Sequence, residues 1–183
     1  MAVARRQFTV AEYQRMAESG ILHEDDRVEL IDGEVYQMSP IGSRHIACVN
    51  RFVAVVTSQV GQQVIDSVQN LIQLTDYSEP QPDLALLRPR ADFYAEALPT
   101  AQDALLLIEV ADRSLEYDRD VKIPHYAKAN LPDAWLVNVK AGRATVYTQP
   151  GEHGYQIIQH FRAGDILRAT TVAQLEVAVE DIF

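Results

Sequence analysis

Apolar residues in this chain come in short runs and stripes whose spacing changes from segment to segment. In RVELIDGEVYQM, residues 27–38, Val28, Leu30 and Val35 alternate with polar neighbours on either side of Asp32-Gly33. A period of two around a strong two-residue turn predicts a β-hairpin. The alternation sets Glu29 on the face opposite Val28 and Leu30, so one of Glu29 and Glu34 can point inward, although the pattern alone favours a solvated strand face. Ahead of the hairpin, residues 8–19 predict a helix. Thr9 and Glu12 form a capping box, Val10, Tyr13 and Met16 an apolar stripe, and Gly20 a stop. Behind it, Ile46, Val49, Val53, Val56 and Val60 recur at intervals of three and four, predicting a helix capped by Ser43 and running to about Val60.

Further along, short strands are expected around Val64 and over residues 71–74, with 66–70 less defined. The turn-rich stretch 77–82 leads to Asp83 and the apolar strand Leu84 to Leu87. Residues 88–102, with Pro89 and Pro99, read as a surface loop with room for one helical turn and for motion. Leu105 to Ile108 and Val110 then make a continuous apolar run, which suits a strand buried on both faces. Asp118 and Lys122 follow, four residues apart and on one face of a helix that Asn130-Leu131-Pro132-Asp133 ends. Pro124 requires that helix either to start close to Lys122 or to bend there. Residues 134–139, 143–148 and 155–161 read as an antiparallel meander, with Ile166-Leu167 and Leu175, Val177 after it. The order predicts an α/β (α+β) fold, a central mixed sheet flanked by helices, in one domain over residues 1–183.

Composition narrows the function little. The chain has 183 residues, 48% hydrophobic and 23% charged, in the ordinary globular range. No run is long and apolar enough for a membrane span, and the N-terminal arginines have no signal-like apolar stretch behind them. The single cysteine, Cys48, fits a reducing compartment, so a cytoplasmic location is expected. Net charge is 16 minus 26, or −10, which argues against a general nucleic-acid coat but not against an enzyme with acidic metal ligands.

The candidate chemistry centres on Glu109. A carboxylate inside a buried apolar strand needs a cation, a metal or a proton. Asp83, at the entrance of the preceding strand, is either a turn cap or a ligand. Asp118 and Lys122 are either a surface pair or part of the same site. His45 falls in the first turn of its helix, where anions are attracted, although surface exposure is the plainer expectation. Cys48 on that helix reads as a packing residue.

Pro82-Asp83 followed 26 residues later by Glu109 resembles the PD-(D/E)-x-K nuclease superfamily. More closely, RVELIDGEVYQMSP, PQPDLALL and LLIEVADRSLEYDRDVKIPHYAKANLPDAWLVN resemble the Uma group of restriction-endonuclease-like proteins. The resemblance implies a restriction-endonuclease-like core with an N-terminal hairpin and C-terminal antiparallel strands. It implies hydrolysis of DNA phosphodiester bonds by a metal-activated water, with magnesium, or manganese in its place, held by Asp83 and Glu109. Glu29 is then an additional acid and His45 a recurrent histidine. The superfamily's usual lysine position holds Ala111, and Lys122, beside Asp118, stands in for that lysine. The superfamily often dimerises, and an exposed Trp135 or the meander strands would supply a homodimer contact. The alternative is a non-catalytic module that keeps the fold and binds nucleic acid or protein.

Overall fold

The computed structural model describes residues 5–23 and 25–183. Its first helix, α1 (Val10–Glu18), starts at Thr9, whose side chain accepts from the Glu12 N–H while Glu12 accepts from the Thr9 N–H. The hairpin follows as β1 (Val28–Ile31) and β2 (Glu34–Gln37). At its turn Asp32 and Gly33 both take positive φ, 50° and 76°. A side chain at Gly33 would also strike Gln7, its Cβ only 2.5 Å from the Gln7 Cβ, so glycine is required there.

The second helix, α2 (Ser43–Val60), is preceded by Gly42 as its N-cap, so Ser43 is its first residue and not its cap. Its buried face is also rotated from the expected stripe. His45, Cys48, Val49, Phe52, Val56 and Val60 are buried, while Ile46 is half exposed. The aromatic ring decides this: Phe52 packs against Trp135, with ring centroids 6.3 Å apart. Turning Phe52 inward brings His45 with it and carries Ile46, about 100° away, toward solvent.

The main sheet has six strands in the order β3-β4-β5-β6-β7-β8. These are β3 (Ile65–Val68), β4 (Leu84–Leu87), β5 (Ala104–Ala111), β6 (Asp133–Asn138), β7 (Arg143–Gly151) and β8 (Gly154–Arg162). Only β5 and β6 pair in parallel; the other neighbours are antiparallel. Residues 71–74, expected as a strand, contribute only an isolated bridge between Gln73 and Thr100. The following 88–102 segment contains no helix. It is held by the Arg90–Asp92 pair and by Arg90 over the Tyr94 ring, 4.0 Å from its centroid.

Every residue of β4 and β5 is buried, as their unbroken apolar runs require. One face of the sheet, with Leu86, Leu106, Ile108, Val110 and Trp135, packs under α2. The opposite face, with Leu107, Ala111 and Leu136, packs against Ile123 and Tyr126. Trp135 is fully buried, because β6 lies inside the sheet and is covered on both faces. That removes it as an exposed homodimer contact.

The parallel β5–β6 connection needs a crossover, and residues 115–128 supply it. One helical turn, α3 (Leu115–Tyr117), passes into a π-helical turn over Asp118–Lys122 and then into α4 (Ile123–Lys128). Pro124 explains the widened turn. It has no N–H to donate, and its ring would crowd the carbonyl four residues back in a regular α-helix. Instead the Ile123 N–H donates to the Asp118 carbonyl, five residues back. Two short strands, β9 (Ile166–Arg168) and β10 (Glu176–Ala178), pair separately, and a 3₁₀ turn over Val179–Ile182 packs on the α2 side of the core.

Among the described residues, no helix is long and apolar enough to cross a membrane.

Candidate active site

The register of β4 against β5 builds the site. Leu84 pairs with Ile108, so Asp83, just before β4, stands beside Glu109 near the end of β5. The Asp83 side chain is anchored on two sides. Its Oδ2 accepts the Val110 N–H at 2.8 Å, and its Oδ1 lies 2.8 Å from His45 Nε2. Asp83 is a carboxylate whose burial pushes its pKa up, but His45, Lys122 and the Val110 N–H outweigh that and hold it below the ordinary value.

Lys122, the last residue of the π-turn, is fully enclosed. Its ammonium meets Glu109 Oε1 at 2.9 Å, Glu29 Oε2 at 3.3 Å and the Gln81 carbonyl at 3.1 Å. Three acceptors match the three protons an ammonium donates. Glu29 Oε2 also accepts the Gln81 N–H at 2.9 Å, and the Tyr126 hydroxyl donates to Glu109 Oε1. The solvated face expected for Glu29 is therefore not found: Glu29 is 1% exposed. A period-two pattern assigns a face but not what covers it, and here Lys122 covers it.

Burial drives the Glu109 carboxyl well above the ordinary range, and Asp118, Asp83 and Glu29 reinforce this against the opposing pull of Lys122. Burial would also depress the Lys122 ammonium, but Glu109 and Glu29 reverse the effect and hold it well above the ordinary lysine value. In a simple ion pair the acid would fall as the base rises. Both rise here because burial dominates at Glu109, with Asp118, Asp83 and Glu29 adding to it, while the contact with Glu109 and Glu29 dominates at Lys122. Asp118, 4% exposed, is raised to about 6, chiefly by burial, with Lys122 and the Ser114 hydroxyl, 2.6 Å from its Oδ2, opposing.

These side chains share one cleft of about 770 Å³, lined by Glu29, His45, Asp83, Glu109, Asp118 and Lys122. Its mouth adds Arg27, Arg113 and Lys140, and Tyr36 and Tyr117 form one wall, their rings 5.2 Å apart. His45, expected at the surface, is buried because Phe52 fixes the rotation of α2. Cys48 packs in the core, and burial raises its thiol to about 12.

Tyr126, Gln81, Ser114 and Tyr117 are the residues that sequence reasoning missed. Tyr126 was reachable, since 118, 122 and 126 continue one four-residue spacing. Gln81 acts through its backbone, which no side-chain pattern reveals.

Among the described residues, no three His, Cys, Asp or Glu side chains gather tightly enough to hold a metal by themselves. Two carboxylates facing a cleft nonetheless fit magnesium, which keeps several waters and is commonly held by one or two carboxylates with substrate phosphates. Glu29 Oε1, buried and without a hydrogen-bond partner, adds an acceptor in the same place.

A family model, Uma2, described as "Putative restriction endonuclease", matches residues 10–180. The chain belongs to the Uma2 family. Its fold is also that of a solved structure described as a putative nuclease belonging to DUF820, from Anabaena variabilis ATCC 29413. The TM-score is 0.78 at 21% identity, over 96% of this chain and 97% of the other. No functionally curated protein matches the chain. Within the Uma2 match lie all six residues of the cleft named from the sequence, and Ala111 at the end of β5 beside Lys122's helix.

Proposed function

We propose that this Uma2 protein is a magnesium-dependent endonuclease that hydrolyses DNA phosphodiester bonds. The observation that carries the reading is the meeting of Asp83, Glu109 and the Lys122 ammonium in one cleft, although 39 positions separate the first from the last. Asp83 and Glu109 would hold the metal. When bound, such an ion lowers the pKa of a water and stabilises charge on the phosphoryl oxygens.

The remaining work falls to the chain itself. Lys122 holds Glu109 in place and offers positive charge where a phosphate oxygen becomes more negative. Glu29 and the Gln81 carbonyl aim that ammonium, and the long lysine stem lets it arrive from α4's side of the sheet in place of Ala111. His45 and the Val110 N–H fix Asp83 in one rotamer. Hydrolysis then needs water oxygen to bond to phosphorus as a bridging P–O bond breaks, the leaving oxygen taking a proton.

The test is incubation with supercoiled plasmid and with single-stranded DNA in manganese, alongside thermal melting with and without the ion. Nicking by wild type, a metal-dependent rise in Tm, and loss of both in Glu109→Gln are expected. Absence of cleavage at high protein concentration, with no metal effect on Tm, would overturn the reading and leave a binding module.

A further inference from the structure

A second depression of about 540 Å³ adjoins the cleft, lined by Arg44, Arg51, Val139 and Phe183 among others. The two share their walls residue by residue. Gly42, His45, Asn138 and Lys140 line the cleft, whereas Ser43, Arg44 and Val139, interleaved with them in sequence, line the depression. No acidic side chain lines the depression, in a chain whose net charge is −10.

Arg44 and Arg51 lie on α2, seven residues apart and hence two turns along one face. Both are exposed. Among the described residues, neither makes an ion pair with an acidic side chain or the final carboxylate, and neither makes a side-chain hydrogen bond. Arg5, Arg6, Arg90, Arg119 and Arg168 pair with acids, whereas Arg113, Arg143 and Arg162 share the unpaired state of Arg44 and Arg51 but do not line this depression. The two are about 10.5 Å apart along the helix axis. That is roughly the axial rise of three phosphates on one strand of B-DNA.

We infer that Arg44 and Arg51 form a phosphate-binding track that holds the nucleic-acid backbone as it leaves the cleft past Ser43 and Val139. The inference rests on the nuclease reading for its ligand, and it names residues outside the carboxylate–lysine cluster. Guanidinium groups suit the role because they remain charged and present forked donors to phosphate oxygens. The local positive track also explains how an acidic protein approaches a polyanion: the partner meets the arginines first and the carboxylates last.

The experiment is fluorescence anisotropy with a labelled duplex oligonucleotide, titrated with full-length wild type and with Arg44→Ala/Arg51→Ala at 50 and 200 mM salt, in calcium to suppress turnover. Removing two phosphate contacts lowers the slope of log K against log salt by about 1.8. Wild type is thus expected to lose about twelve-fold more affinity than the variant over that interval. An unchanged Tm shows that the variant is folded, and Arg44→Lys/Arg51→Lys should recover most of the slope. Equal slopes for wild type and the alanine variant would overturn the track even if wild type cleaves DNA. Cleavage is scored separately. Arginine-dependent binding without cleavage keeps the track and removes the nuclease reading. Binding of polyglutamate but not DNA, lost in the alanine variant, would overturn the track in favour of an acidic protein partner.

Discussion

Two carboxylates lie buried in adjacent strands of the same sheet and are held in opposite ways, Asp133 through one oxygen only, its Oδ1 having no hydrogen-bond partner. Glu109, near the end of β5, faces a lysine ammonium and a tyrosine hydroxyl and borders the cleft. Asp133, at the start of β6, is fully buried, yet among the described residues it makes no ion pair. Its Oδ2 accepts from the Thr170 N–H at 2.7 Å, the Thr170 hydroxyl at 2.9 Å and the Thr171 N–H at 3.2 Å, while the Thr171 hydroxyl donates to the Leu105 carbonyl at 2.7 Å. Neutral donors fixed by a loop make Asp133 a clasp between β6 and the C-terminal segment. A charged partner and an adjoining cavity set Glu109 apart. Burial alone therefore does not mark a chemical carboxylate; the kind of partner and access to a cavity do.

The sharpest way to break the comparison is to neutralise each acid without changing its shape. Glu109→Gln is expected to reduce DNA cleavage by about a thousand-fold or more, equivalent to roughly 4 kcal/mol in the barrier. Asp133→Asn should leave cleavage per folded molecule within a few-fold of wild type. Plasmid nicking, normalised to the folded fraction from circular dichroism, reads both. Comparable losses would mean that the clasp also shapes the site and that the distinction fails.

Removing the cation comes next. Lys122→Met leaves Glu29 and Glu109 buried without a counter-charge, and a destabilisation of about 3–5 kcal/mol is expected in urea unfolding. Adding Glu109→Gln should recover part of that loss, because the two side chains touch and their effects are not additive. Simple additivity would show that the pair is not coupled in the folded protein. On the other side, Asp133→Ala strands the Thr170 N–H and hydroxyl and the Thr171 N–H and is expected to cost about 2–3 kcal/mol. Hydrogen exchange should then quicken at Thr170 and Thr171 and leave the amides of β4 and β5 protected.

The same contrast sets what could be read from the sequence. Asp32-Gly33, the Thr9–Glu12 box and the apolar runs of β4 and β5 were legible because each depends on neighbours in the chain. Glu109 stands out because it is the one charged residue inside the continuous apolar run of β5. What escaped depends on distant partners. Glu29 looks solvent-facing until Lys122 arrives from beyond position 118. The rotation of α2 follows from Phe52 meeting Trp135, so Ile46 was misplaced and His45 was expected outside. Trp135 reads as exposed from sequence because a strand's place in the sheet order is not written in its own residues. The π-turn falls between these cases. Pro124 announced a disturbance near Lys122, but the choice of a widened turn over a late start is made by packing Ile123 and Tyr126 onto the sheet.

The smallest expected effect concerns Asp118, which shares features of both acids. It is buried beside the cleft like Glu109, and it accepts from a hydroxyl, that of Ser114, like Asp133. Its folded pKa is raised from 3.8 to about 6. An acid raised on folding keeps its proton longer in the folded state than in the unfolded chain. Its contribution to stability is thus fully present below pH 3.8 and is lost as the pH climbs to about 6. Asparagine at this position keeps an oxygen for Ser114 and has no charge to bury. Asp118→Asn is therefore expected to match wild type near pH 4 and to exceed it at pH 7.5 by on the order of 2 kcal/mol. Urea unfolding at the two pH values measures the difference. A variant less stable than wild type at pH 7.5 would mean that Lys122 draws more from the Asp118 charge than burial takes away, placing Asp118 with the ion-paired acids and not between the two kinds.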